Sequence, residues 1–245
     1  MSLFQPPPIT RFDLHFTLFG FPVRVHPLFW LVVVVFGLSS ASITALLIWV
    51  VVVFISILVH ELGHAFAMRM YGLDSRIVLH MAGGLTVPGG WAGAALGRGE
   101  EIIVSFAGPL AGFILAGLVM GGVVGLGGSI TLTRAIIPFP MAVIPFRSRV
   151  PIMIVRTLLW VNVFWGLINL VPVIPLDGGN IARNVLLIAD PLNGARKALW
   201  VSVVAGALVA LLGLLLLRSI YIALLFGFLA FQSYQTLRGR VGRIY

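Results

Sequence analysis

The chain has 245 residues, of which 60% are hydrophobic and only 9% charged. A water-facing globular surface needs about 25% charged residues, so a soluble domain is excluded and the composition predicts a polytopic membrane protein. The net charge of +9 comes from residues scattered beside apolar runs, which suits juxtamembrane placement on a lipid bilayer and argues against nucleic acid as a partner.

Residues 1–26 are mixed and polar. Pro6, Pro7 and Pro8 occur there without a continuous apolar core, so nothing resembles a cleavable signal peptide. Phe16 to Val25, arranged around Gly20, has β-type composition and predicts a short interfacial hairpin. Pro27 suits a first helical position, and Leu28 to Leu38 begins a first span. A turn at 37–42 separates it from a second span, Ile43 to Met70. The run from Leu28 to Val59 is too long for one crossing and slightly short for two, and we read two.

Asp74 to Trp91 changes character. Arg76 to Met81 is strand-like, and Ala82-Gly83-Gly84-Leu85 offers a two-residue turn whose glycines are expected at φ > 0. Pro88, Gly89 and Gly90 end the segment. Backbone of this kind at membrane depth must be buried in protein or line a wet cavity, so this small membrane-associated hairpin is a candidate wall of the active site.

Glu100 and Glu101 open a third span, where acidic residues complement a helix N-terminus. Ala107-Gly108-Pro109-Leu110, Gly112 and Gly117 follow, and close helix packing is the simplest use of such small residues. Residues 121–151 are rich in Gly and Pro, carry Arg134, Arg147 and Arg149, and read as an external loop. A fourth span, Ile152 to Val171, carries Asn162 and Asn169. Pro172 and Pro175 then interrupt the helix and free the backbone to present Asp177 inward. Residues 180–195 read as a polar connection, followed by spans at Lys197 to Leu217 and Ser219 to Phe231. A basic tail holds Arg238, Arg240 and Arg243.

The fold class is therefore an all-α polytopic membrane protein with about six transmembrane helices and one small hairpin. It forms a single domain over 1–245: an N-terminal segment 1–26, a core 27–180, and C-terminal helices with a tail over 181–245. With six spans, eleven of the sixteen Lys and Arg residues fall on the side that receives both termini. The positive-inside rule then places both termini, and the C-terminal end of the second span, in the cytoplasm of a multi-pass cell-membrane protein.

The chemistry gathers at His60-Glu61-Leu62-Gly63-His64. Residues i and i+4 share a helix face, so both imidazoles can reach one ion, while Glu61 lies about 100° round the helix from His60. Two histidines hold zinc in this arrangement and the glutamate serves as general base. A satisfied core histidine pair is the bland alternative. In hydrocarbon it loses, because an ionisable group costs roughly 2.5–3.5 kcal/mol at a helix centre and marks function. With no cysteine in the chain, a third ligand must come from nitrogen or oxygen, and there are only seven acidic residues. Asp177 follows the interrupted fourth span and is the best placed. Its alternative is a turn aspartate ahead of two glycines.

The HExxH stretch, followed about 110 residues later by Asn169-x-x-Pro172-x-x-Pro175-Leu176-Asp177-Gly178, resembles the site-2 protease family of zinc intramembrane metalloproteases. Val25-His26-Pro27, Gly83-Gly84 and Ala107-Gly108-Pro109 also match positions that family shows, so the resemblance covers roughly residues 20–180. It implies hydrolysis of peptide bonds in transmembrane segments of single-pass protein substrates, during signalling. One zinc ion per chain would be held by His60, His64 and Asp177. Glu61 would be the base and Asn169 a substrate or transition-state contact, and on our own reading a strand edge in the 76–88 hairpin, with Gly83 and Gly84, holds substrate extended. Departures are visible. Family members often carry Asn a few residues after the Gly-Pro pair, whereas Leu110 to Phe113 has none. The length also leaves no room for a PDZ or cystathionine-synthase-type domain, so a minimal form is expected.

Two rivals remain open on the sequence. A membrane metal carrier or transporter would use the same His and Asp ligands but gives Glu61 no distinctive task. A silent scaffold explains none of the four residues. His26 reads as an interfacial residue beside Pro27, and His80 as structural or substrate-facing.

Overall fold

The computed structural model describes residues 6–89, 96–132, 140–143 and 148–241. Gly90, Trp91, Arg134, Arg147 and Arg243 lie outside them. Two compact units are present, one from residues 1–94 and 107–167, the other from 95–106 and 168–245.

The first unit opens with the hairpin expected around Gly20. β1 (Leu14–Leu18) and β2 (Phe21–Val25) pair antiparallel. Phe19 and Gly20 between them have φ of 52° and 84°, the two positive values that a tight hairpin turn matching strand twist requires. Strand alternation turns Phe21, Val23 and Val25 inward and leaves Pro22 exposed. The next pairing carries no local signal. β2 pairs parallel with β3 (Ser75–His80), matching Val23 to Ile77 and Val25 to Leu79. A parallel pair needs a long crossover, and α1 (Pro27–Gly37) with α2 (Ile43–Met70) supplies it. β4 (Gly83–Pro88) completes a four-stranded sheet in the order β1-β2-β3-β4.

The connection between β3 and β4 is Met81-Ala82, not Gly83-Gly84 as expected. Leu79 pairs with Gly84 and His80 with Gly83, so both glycines belong to the strand. Gly83, at φ 117°, needs its glycine, whereas Gly84 is constrained differently, as described below.

Sheet and helices share one core. Phe21, Val23, Val25, Ile77 and Leu79 meet Phe29 and Val33 of α1 and Val52, Ile57, Leu58, Leu62 and Ala65 of α2. On the membrane-spanning part of this core the gain is close van der Waals packing rather than exclusion of water, because lipid is as apolar as these side chains. The hairpins are thus anchored on the helix that carries the histidines. Ser42 starts that helix by accepting from the Ala45 N–H at 3.2 Å.

α3 (Arg98–Gly125) begins with Glu100 accepting from the Gly97 N–H at 2.7 Å and runs through Pro109 without ending. It extends into the segment expected to be a loop. Past it, β5 (Ser129–Leu132) and β6 (Pro140–Val143) form a second antiparallel pair. α4 (Arg149–Asn169) closes the list of long elements before the proline stretch.

In the second unit, α5 (Asp177–Ala189) occupies most of the segment expected to be a polar connection. It is followed by α6 (Gly194–Leu215) and α7 (Ile220–Val241), which pack on each other. α7 carries the helix ten residues past the expected Phe231, through Arg238 and into the basic tail.

Five described helices are long and apolar enough to cross a membrane: α2, α3, α4, α6 and α7. The apolar α1 has only 11 residues, about 16 Å of helix, which is short for a hydrocarbon core of about 30 Å. The chain is a mostly helical, multi-pass membrane protein.

Candidate metal centre

On α2, four residues of helix bring the imidazoles of His60 and His64 together. Their Nε2 atoms lie 3.2 Å apart and the rings meet edge to face at 4.8 Å. Glu61 completes a group whose ligand atoms all fall within 4.8 Å of one another, and all three side chains are buried.

The donor set fits zinc. Tetrahedral coordination at about 2.0–2.1 Å separates two nitrogen ligands by about 3.3–3.4 Å, close to the observed spacing. A second observation agrees. A Cβ on Gly108 of α3 would overlap His64 Nε2 and come within 2.8 Å of His60 Nε2. The bare glycine therefore leaves open the space next to both nitrogens. Gly63 plays the reciprocal part on α2, where a Cβ would overlap the Ala107 carbonyl. Small residues let the two helices approach, as expected, but Gly108 also bears directly on the metal site.

β4 forms another wall. A Cβ on Gly84 would overlap the Glu61 side chain, so this glycine is required by close approach to the carboxylate. Two positions on, Thr86 Oγ1 lies 2.7 Å from Glu61 Oε2 and 3.0 Å from the Glu61 backbone oxygen. From α4, Asn162 Nδ2 donates to Ser56 Oγ at 2.9 Å, one helical turn before His60. Asn162 Oδ1 is buried without a hydrogen-bond partner, and a Cβ on Gly112 would sit 3.5 Å from it. Gly112 lies in the stretch where the expected asparagine is missing.

His26 and His80 stand apart from this group. His26 is buried as the N-cap of α1: its Nδ1 accepts from the Leu28 N–H at 3.2 Å and its own N–H donates to Leu79 at 2.9 Å. That is a structural task rather than the interfacial one expected. His80 is buried at the end of β3, and its Nδ1 accepts from the Ala82 N–H at 3.4 Å. Burial first, and then the Arg24 charge, hold its imidazole below the usual range.

The remaining sequence-selected residues belong to the second unit. Asn169 is buried as the last residue of α4. Beyond it, residues 170–176 leave helical structure through Pro172 and Pro175, with a cis peptide at Ile174-Pro175. Asp177 stands in the first turn of α5, so Asp177-Gly178-Gly179 opens a helix rather than forming an isolated turn. The glycines are needed there: a Cβ on Gly178 would overlap the Leu170 carbonyl, and one on Gly179 the backbone of Val173 and Ile174. The Ile174 N–H donates to Ser202 Oγ of α6 at 2.9 Å, and Ser202 is 2.7 Å from Ser233 of α7, both serines buried.

Thr86, Gly108 and Ser202 were not legible as site residues. A threonine in a strand and a serine in an apolar helix carry no spacing signal. Gly108 was visible as one small residue among several and within the Ala107-Gly108-Pro109 resemblance, in neither case with a role at the metal site.

The model of Peptidase family M50 matches residues 48–212. Zinc metalloprotease MJ0392 of Methanocaldococcus jannaschii is 30% identical over 176 residues, covering 70% of this chain and 44% of that protein. Rip3 of Mycobacterium tuberculosis is 29% identical over 188 residues, covering 68% of this chain and 42% of Rip3. The chain thus spans less than half the length of these relatives. A solved structure, the site-2 protease from Methanocaldococcus jannaschii, superposes with a TM-score of 0.56 at 26% identity, over 92% of this chain and 95% of that one. The metal-carrier alternative finds no support in these matches.

Proposed function

The chain belongs to peptidase family M50, and from that premise we propose that it is a zinc-dependent endopeptidase cleaving transmembrane segments of single-pass membrane proteins within the bilayer. The observation that carries this reading is the buried group of His60, Glu61 and His64 on a helix long enough to span a membrane. A carrier needs ligands only. Here a carboxylate stands one residue from a ligand, within reach of the same small volume, which is what hydrolysis requires.

In this reading His60, His64 and Asp177 hold one zinc ion per chain. The His₂-carboxylate set is one standard catalytic combination. Asp177 is supported by the proline-broken stretch ahead of it and by the shortage of other acidic residues. When bound, zinc supplies Lewis acidity that brings the ionisation of water to a pKa of about 7. Glu61 would take a proton from the attacking water and deliver it to the leaving amine. Asn169 donates a hydrogen bond to the developing oxyanion. The surrounding apolar side chains exclude bulk water, which strengthens each of these interactions.

A substrate helix keeps its carbonyls in its own hydrogen bonds and must become extended first. Among the described residues, β4 pairs with β3 on one side only. Its other edge can take an extended segment by strand addition, next to Glu61. Gly84 keeps that strand close to the base, and Gly83 supplies the positive φ at its start. In this reading both compact units belong to one integral membrane protease domain over 1–245, with both termini and the active-site end of α2 on the cytoplasmic side.

The test is cleavage of a single-pass model substrate by purified protein in lipid nanodiscs. Cleavage is expected with zinc, lost with a chelator and restored by zinc. Metal flux across a vesicle membrane without any proteolysis would overturn the reading.

A further inference from the structure

Glu61 is a buried carboxylate, and a buried carboxylate needs donors. Thr86 provides one, from a different element and 25 residues away. Its Oγ1 lies near two acceptors, Glu61 Oε2 at 2.7 Å and the Glu61 backbone oxygen at 3.0 Å, but a hydroxyl has one proton to give. The carboxylate is the stronger acceptor, and the backbone oxygen is already served by the i+4 N–H of its own helix. The proton therefore goes to Oε2.

The strand fixes this contact. Positions i and i+2 share one face, so Gly84 and Thr86 both front Glu61. Gly84 yields space to the side chain and Thr86 binds its end. Thr86 is paired with Ile77, a fully buried residue of β3, which sets its height along α2. A β-branched side chain is stiff at χ1, so the backbone of β4 also sets the direction of the hydroxyl.

The geometry points to Thr86 as a positioning residue for the base: its hydroxyl holds the Glu61 carboxylate in one orientation and ties it to strand β4. The inference rests on the peptidase reading for its effect on turnover, though not for the contact itself. Misorientation of a reacting group by about 1 Å can cost 10²-fold, and that loss belongs to the chemical step rather than to substrate affinity.

Two measurements on the full chain in nanodiscs test this. The first needs no activity. Infrared difference spectra assign the Glu61 carboxylate stretch as the band lost in Glu61→Gln. That band should shift in Thr86→Val, which keeps the shape and removes the hydroxyl, and return in Thr86→Ser. Thr86→Ala serves if the valine variant does not fold. The second is kinetic. Thr86→Val should lower kcat about 10- to 100-fold with KM and zinc content unchanged, while Thr86→Ser keeps most of the rate. An unshifted band, a loss confined to KM, or a serine variant as impaired as valine would overturn the role. A zinc-loaded wild type that cleaves nothing would overturn the peptidase reading instead, and the infrared arm would still decide whether Thr86 holds the carboxylate.

Discussion

The two stretches proposed to hold the metal are built by different means. His60 and His64 are set by helix periodicity: four residues of α2 fix the 3.2 Å between their nitrogens before any partner element is considered. Asp177 sits behind a chain broken by Pro172 and Pro175, and no local rule fixes it. Tertiary contacts hold its turn, from the Ile174 N–H to Ser202, from Ser202 to Ser233, and through two glycines against the 170–174 backbone. The histidine stretch is held by secondary structure and the Asp177 stretch by packing. The second should therefore be sensitive to substitutions that touch no ligand.

The largest expected effect is at the ligands. Asp177→Ala should reduce zinc in the purified protein from near one per chain to a small fraction, and unchanged zinc would remove Asp177 from the centre. Next comes β4. A valine at Gly84 would drive a side chain into Glu61, and at Gly83 it would force a β-branched residue to φ 117°. Both variants should retain zinc and lose most cleavage, and full activity in both would remove the hairpin from the mechanism. Ser202→Val tests the packing half. It leaves the Ile174 N–H without its acceptor, at a cost of about 1–3 kcal/mol. By analogy with outer-shell changes it should weaken zinc affinity about 10- to 100-fold. Equal zinc affinity in Ser202→Val and wild type would erase the contrast between the halves.

The smallest effect concerns pH. His80 titrates below its usual range in the folded chain, so the unfolded chain binds the proton first. Its contribution to stability is present above about pH 6.5 and is lost as pH falls toward the lowered folded value. Melting of wild type should fall across that window more than melting of His80→Gln, and parallel curves would show that His80 is not the source.

What could be read in advance follows the same division. The HExxH helix was legible because its periodicity and its chemistry coincide in five residues, and the bounds of α2 match the expected span. The first hairpin was legible from composition around Gly20. The parallel pairing of β2 with β3 was not, because it joins strands about 50 residues apart through a helical crossover. The turn at Met81-Ala82 was misplaced onto Gly83-Gly84 because glycine pairs signal turns, whereas here one serves a positive φ and the other the approach of a carboxylate. α5 was missed because the polar residues of 177–190 masked a helix with an apolar face at Val185 and Ile188. Gly108 and Ser202 depend on neighbours distant in sequence, which no local pattern encodes.

The central claim is that Glu61 moves a proton rather than holds the metal, and Glu61→Gln tests it most directly. Glutamine keeps the shape and a hydrogen bond but cannot accept a proton, and loss of a general base typically costs about 10²–10⁴ in rate. Zinc content and single-pass substrate cleavage, measured on the same preparation, should show full zinc, retained substrate binding and cleavage lower by that factor. Cleavage near the wild-type rate would contradict the claim, and loss of zinc would make Glu61 a ligand.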